Sequence, residues 1–110
     1  MFRRFEIPDR CRTRYAARPA PLGDGELSLR WLGTAGYELR TARTTLLIDP
    51  YLTRASLSRT LFTPLEPGSA AIDAVIGGAD YVLAGHSHFD HLMDVPYIAR
   101  RTRATVVGSD

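Results

Sequence analysis

All three histidines of the chain fall within a segment of six residues that also contains an aspartate. His86 and His88 stand two residues apart, and the segment ends on the adjacent pair Asp90 and His91. Neutral imidazole and carboxylate are favoured zinc ligands where thiolates are absent. The single cysteine, Cys11, excludes both a cysteine framework for zinc and an internal disulfide. The segment therefore predicts a metal site.

The spacing within this segment suits more than one metal ion. On a tight loop, His86 and His88 can point the same way, while Asp90 and His91 can aim at a neighbouring point. Two pairs of ligands placed like this match centres in which two metals lie a few ångströms apart. The alternative is a polar surface loop with inactive histidines, but four potential donors this close together favour metal binding.

A strand and a helix are predicted on either side of the histidine segment. The apolar run at residues 81–84 indicates a central strand, over residues 80–84, that is buried on both faces. Asp94 is the expected N-cap of a helix that continues to about Arg101, and residues 104–107 indicate another strand. Together they predict a right-handed βαβ unit. The histidines would then follow the carboxyl end of a strand, where open α/β sheets bind their ligands.

Upstream, three short strands are expected. Apolar and polar residues alternate at residues 27–31 and 37–40, and residues 45–48 look more fully buried. The polar turns between them are short, which predicts an antiparallel meander. Ser69 is the expected cap of a short helix that ends before Gly77.

The two ends of the chain differ in composition. Residues 1–25 are rich in Arg, Pro and Gly and predict an irregular N-terminal arm, while residues 26–110 are predicted to form the domain. Residues 51–68 are expected to be mainly a loop. Hydrophobic residues make up 45% of the chain and charged residues 24%, which is ordinary globular composition.

The basic residues are all arginines, and they form two clusters. Such clusters can contact phosphate, but the net charge of only +2 favours a solvated surface, so nucleic acid is not the expected partner. The start of the chain lacks the apolar run of a secretory signal, and no stretch has the length of a membrane span. A cytoplasmic protein without membrane contact is expected. The clusters consist of Arg10, Arg12, Arg14 and Arg18, and of Arg100, Arg101 and Arg103.

The histidine segment resembles the signature of the metallo-β-lactamase-fold hydrolases. Residues 31–37, WLGTAGY, and residues 47–51, LIDPY, are also similar to that family and are closest to its ascorbate-6-phosphate-lactonase-like branch. The resemblance runs from about Leu27 to Asp110. It implies an α/β fold that forms the amino-terminal half of an αβ/βα sandwich, with a mixed sheet and flanking helices.

The resemblance also implies roles for individual residues. His86 and His88 would bind the first metal, and Asp90 and His91 the second. Asp90 would in addition orient or deprotonate the attacking water, which makes it the expected catalytic residue. Asp49 would brace the histidine loop by hydrogen bonding. The alternative for Asp49 is a simple turn residue before a proline.

The glycines of the second similar segment have two interpretations. Gly33 and Gly36 could let the backbone approach a phosphate, but a requirement of the hairpin turn is the better supported explanation.

The chemistry implied is hydrolysis of a small-molecule ester, lactone or phosphodiester by metal-activated water. Two zinc ions are expected in the complete domain, and manganese or iron would also suit these ligands. The family takes further ligands from its second half, and no histidine follows His91. Two alternatives therefore stay open: a catalytically incomplete metal-binding fragment, and an RNA-processing nuclease of the same superfamily. A complementing carboxyl-terminal half or a homo-oligomer is the expected protein partner.

Overall fold

The computed structural model describes residues 20–53 and 67–108, without the side chains of Phe89 and Asp90. Most of the predicted N-terminal arm and most of the predicted loop at residues 51–68 lie outside these ranges. Residues 20–27, which precede the first strand, contain no helix or strand.

Five strands form one sheet, and their order in the sheet is their order in the sequence. The first three are antiparallel neighbours, whereas the third, fourth and fifth are parallel. This arrangement confirms the meander, the βαβ connection and the mixed α/β sheet. The strands are β1 (Ser28–Gly33), β2 (Gly36–Arg40), β3 (Thr45–Ile48), β4 (Tyr81–Ala84) and β5 (Thr105–Gly108).

A tight turn joins β1 to β2 between the paired residues Gly33 and Gly36. Gly33 has a φ of 94° and Thr34 a φ of 52°, so the chain passes through the left-handed region twice. Glycine adopts this region without a steric penalty, which explains its place here. The indole Nε1 of Trp31 donates to the carbonyl of Thr34 over 3.1 Å and ties the turn back to β1.

Among the described residues, three helices interrupt the strands: α1 (Ser69–Val75), α2 (Phe89–Leu92) and α3 (Val95–Thr102). Ser69 is the first helical residue rather than the cap, because Gly68 holds the cap position without a side-chain hydrogen bond. No helix in the described part of the chain is long and apolar enough to cross a membrane.

The core lies between one face of the sheet and the helices α1 and α3. Burying an aliphatic side chain of this size contributes roughly 1.5–3 kcal/mol, so the cluster is the main stabilising feature of the described fold. The two helices are also joined at their surface, where Tyr97 Oη donates to the carboxylate of Asp73 over 3.0 Å and Arg101 forms an ion pair with it at 2.8 Å. The core side chains are Leu32, Leu47, Ile72, Ile76, Val82, Val95 and Ile98.

The opposite face of the sheet carries large apolar side chains, and no helix of the described residues covers it. One register row crosses all five strands, and among its members Trp31 is 53% exposed and Val107 49%. Tyr81, in the neighbouring row, is 47% exposed. The prediction that β4 is buried on both faces is therefore wrong for this chain, because α1 and α3 lie on one side only. The row consists of Trp31, Tyr37, Ile48, Leu83 and Val107.

Candidate metal centre

The candidate site lies where two parallel strands end side by side. Asp49 directly follows β3, and Gly85 and His86 directly follow β4. Because parallel neighbours present their carboxyl ends at the same edge, two segments distant in sequence meet there. The amide of Asp49 donates to the carbonyl of Leu83 over 2.8 Å, which extends the pairing of the two strands up to the site.

The three imidazoles gather at this edge. The ring centroids of His86 and His88 are 5.6 Å apart, and those of His86 and His91 are 5.1 Å apart. Two imidazoles bound to one tetrahedral zinc at the usual bond length have centroids about 5 Å apart. The spacing is therefore compatible with shared or adjacent metal ions. His86 and His88 are exposed, whereas the His91 side chain is only 15% exposed.

The carboxylate of Asp49 touches both the exit of β4 and the histidine helix α2. Its Oδ1 accepts a hydrogen bond from the amide of Gly85 at 2.6 Å, and its Oδ2 lies 3.2 Å from Nδ1 of His91. A carboxylate on one imidazole nitrogen fixes the ring and directs the other nitrogen toward a metal. The Asp49 side chain thus contacts both the exit of β4 and α2. Its bracing of the histidine segment stays a prediction.

Two glycines leave the space that Asp49 occupies. A Cβ on Gly85 would lie 3.0 Å from Oδ2 and 3.4 Å from Oδ1 of Asp49, and a Cβ on Gly36 would lie 3.0 Å from the Asp49 carbonyl oxygen. Of the two interpretations of the glycine segment, the structure supports the turn for Gly33. For Gly36 it shows a third role, which is a close approach of the Asp49 backbone.

Asp94 lies at the cap position of α3, as predicted, but its side chain does not cap the helix. The carboxylate is fully buried. It accepts hydrogen bonds from the amides of Leu52 and Thr53, at 2.6 and 2.9 Å, and from the Thr53 hydroxyl. The expected capping role is therefore wrong, because the donors of the segment after Asp49 satisfy the carboxylate instead.

The described side chains do not form a complete metal site. Within residues 20–53 and 67–108, where the Asp90 side chain is not described, no three His, Cys, Asp or Glu side chains surround a common point. Three imidazoles at one sheet edge, with one of them against the partly buried carboxylate of Asp49, nevertheless form a donor set whose chemistry suits zinc. Any further ligands must come from Asp90 or from outside the described residues.

The sequence predicts the histidines and Asp49 as site residues, which stays a prediction; that prediction omits Gly85, and it misassigns Asp94. Gly85 stands between a buried strand and the first histidine, so its position at a strand exit was a usable signal. No local pattern could have indicated the role of Asp94, because its partners lie 41 and 42 residues away in sequence.

Several curated proteins are similar in sequence to this chain, although no protein-family model matches it. A UPF0173 metal-dependent hydrolase of Ruegeria sp. is 40% identical over 82 residues, which cover 74% of this chain and 32% of that protein. Its counterpart in Pyrobaculum arsenaticum is 35% identical, and the match covers 76% of this chain and 32% of that protein. The counterpart in Cupriavidus necator is 36% identical, and the match covers 83% of this chain and 30% of that protein. The chain thus spans about a third of the length of the curated relatives it matches.

The fold has a similar solved structure. The metallo hydrolase Igni18 from Ignicoccus hospitalis superimposes with a TM-score of 0.50 and 23% identity, over 73% of this chain and 30% of that one. At this identity the likeness concerns the fold alone. The sequence relatives and the mixed sheet agree with each other: the chain is similar in sequence to about a third of the length of the UPF0173 metal-dependent hydrolases, and its fold is similar to part of a metallo hydrolase.

Proposed function

We propose that this chain carries the first metal-binding half of a metal-dependent hydrolase that acts on a small-molecule ester, lactone or phosphodiester. The observation that supports the proposal most strongly is the contact between Asp49 Oδ2 and His91 Nδ1 beside the other two imidazoles. A carboxylate held against a histidine is the arrangement that orients metal ligands in hydrolytic sites. The names of the relatives, which are metal-dependent hydrolases, point the same way.

In the proposed mechanism, His86 and His88 would hold one zinc ion, and His91 and Asp90 would hold a second. A bound zinc ion supplies Lewis acidity that makes water a nucleophile at neutral pH. Asp90 would orient the attacking water toward the substrate and accept its proton. Asp49 keeps the His91 ring in place throughout, so that the ligand geometry survives the reaction. Manganese or iron is an alternative metal for the same donors.

The metal assignment is tested by removing two ligands at once. We expect His86→Ala/His88→Ala to lose most of the bound zinc or cobalt(II), because two of the four proposed protein ligands are gone. Metal content after dialysis and cobalt(II) absorption measure the effect. Ser87→Ala, between the two histidines, is the matched control and should bind like the parent chain. Unchanged metal content in the double variant would refute the site.

The catalytic half of the proposal needs a separate test, since the family draws further ligands from its second half. If this chain is an incomplete metal-binding fragment, it will not turn over lactone, ester or phosphodiester substrates at any metal loading. Adding a separately expressed carboxyl-terminal half of a relative should then restore turnover. Failure to restore it with metal bound would count against the hydrolase proposal.

The structure gives little support to the alternative of an RNA-processing nuclease. Of the arginine cluster near α3, Arg101 already forms an ion pair with Asp73 and donates to the carbonyl of Ile76. Its charge is therefore partly compensated. A nuclease would bind RNA with an affinity that falls steeply with salt, and a flat response between low and physiological salt would exclude this alternative.

A further inference from the structure

We propose that Asp94 is a positioning residue of the metal centre. Its buried carboxylate holds the segment that follows Asp49, and through Asp49 it fixes the imidazole of His91. This inference deepens the proposed function and rests on it, because both concern the same site.

The burial of Asp94 is the first observation. A carboxylate taken out of water is costly unless hydrogen bonds replace its hydration, and this one is fully buried. Its two oxygens receive three donors, all of them from Leu52 and Thr53. None of the three belongs to the helix that Asp94 precedes, so the carboxylate acts between segments rather than within α3.

The second observation is that the segment after β3 and the segment after β4 contact each other at two places. Asp49 contacts Gly85 and His91 at one end. Three residues after His91, Asp94 binds the chain three and four residues after Asp49. The segment leaving β3 and the segment leaving β4 thus form a closed ring. Loss of the Asp94 carboxylate would break the second of these two links between the segments.

The third observation is the backbone of Asp49, which has a φ of 43°. Residues with a Cβ adopt the left-handed region rarely, and such a conformation persists only where its surroundings hold it from several sides. Pairing with Leu83 holds Asp49 from the β3 side. Asp94 holds the chain downstream, and Thr53 Oγ1, which also accepts from the amide of Gly68 at 2.6 Å, extends this anchor to the start of α1.

The test compares two aspartates that both join distant parts of the fold. Asp94→Ala removes the anchor, and Asp94→Asn keeps the shape and one acceptor oxygen. Asp73→Ala is the matched control, since Asp73 links α1 to α3 through Tyr97 and Arg101 without touching either site segment. Two quantities are measured on the whole 110-residue chain: the cobalt(II) dissociation constant, and the tautomer of His91 by nitrogen NMR without metal at about pH 8, above the ordinary pKa of imidazole.

We expect Asp94→Ala to raise the cobalt(II) dissociation constant about 10-fold, the lower end of the range for lost outer partners of ligands. In the metal-free chain it should replace the Nδ1–H form of His91 with a mixture of tautomers. Asp94→Asn should lie between this variant and the parent, and Asp73→Ala should match the parent in both measurements.

A folded Asp94→Ala chain with the parent affinity and tautomer would overturn the inference, and so would equal effects in Asp73→Ala. If Asp94→Ala does not fold, Thr53→Val is measured instead, because it removes one hydrogen-bond donor to Asp94. A smaller shift in the same direction supports the inference, and parent values overturn it. If the parent chain binds no cobalt(II), the metal assignment fails, and the tautomer comparison alone decides the role of Asp94.

Discussion

At the scale of single residues, the candidate centre depends on a carboxylate that occupies a space only glycine leaves open. Asp49 fits against Gly85 because the latter has no Cβ, and the 2.6 Å hydrogen bond between them aligns the carboxylate with His91. Metal binding at this site should therefore depend on the residues that orient the ligands as well as on the ligands themselves.

Replacing Gly85 by alanine should disturb the site without changing any ligand. The added Cβ would meet Asp49 Oδ2 at 3.0 Å and displace the carboxylate from His91. We expect metal binding to weaken about 10-fold, as measured by cobalt(II) titration. Gly78→Ala is the control, since a Cβ there meets nothing within 4 Å. Equal affinity in the two variants would show that Asp49 does not support the site.

Asp49→Asn probes the charge of the same side chain while keeping its shape. Asparagine tolerates the left-handed backbone, so the melting temperature should change little. Its amide nitrogen would face Nδ1 of His91 and favour the tautomer protonated on Nε2, which cannot bind metal through that atom. We expect about 10- to 100-fold weaker cobalt(II) binding. Parent affinity in this variant would contradict the bracing role.

At the scale of elements, α1 and α3 have to be held together because they form the only layer that covers the sheet within the described residues. Their side chains bury the core, and the cluster of Asp73, Tyr97 and Arg101 joins their exposed surfaces. The hydrogen bond to Asp73 raises the pKa of Tyr97 above its ordinary value of 10.0, together with desolvation and the charge of Asp73, while Arg101 lowers it.

This shift predicts a loss of stability at alkaline pH. Because the pKa is higher in the folded state, the contribution of Tyr97 is complete below its unfolded value of 10.0 and is lost as the pH rises through the folded value. The difference in melting temperature between the parent chain and Tyr97→Phe should therefore shrink as the pH rises from about 9 to above 10. A difference that does not depend on pH would show that the phenol titrates normally.

At the scale of the whole molecule, the sheet has one covered face and one apolar face that no described element covers. Large exposed apolar patches mark surfaces that associate. We therefore expect this face to mediate self-association of the chain.

Neighbouring residues of β5 offer a matched test of this face. Val107 belongs to the uncovered row and is 49% exposed, while Val106 points to the helix side and is 45% exposed. We expect Val107→Lys to reduce self-association of the chain, measured by light scattering, because it places a charge on the apolar face. Val106→Lys should leave association unchanged. The same effect from both substitutions would show that the edge of β5, rather than the face, mediates contact.

The elements of the fold could be predicted from sequence because each has a local cause. Alternating residues in β1 and β2, the apolar run of β4 and the apolar face of α3 can be recognised from sequence pattern alone. The clustering of the three histidines likewise indicates metal chemistry without any structure, because ligand type and spacing are local properties.

Only the tertiary structure determines how these elements and side chains are placed relative to one another. The parallel pairing of β3 with β4 brings Asp49 to Gly85 and His91, across 36 residues in the case of Gly85. It also turns Asp94 from a local cap into a buried anchor for Leu52 and Thr53. Hydrogen bonds between distant segments depend on strand register and on which face the helices cover, and neither is encoded in the spacing of neighbouring residues.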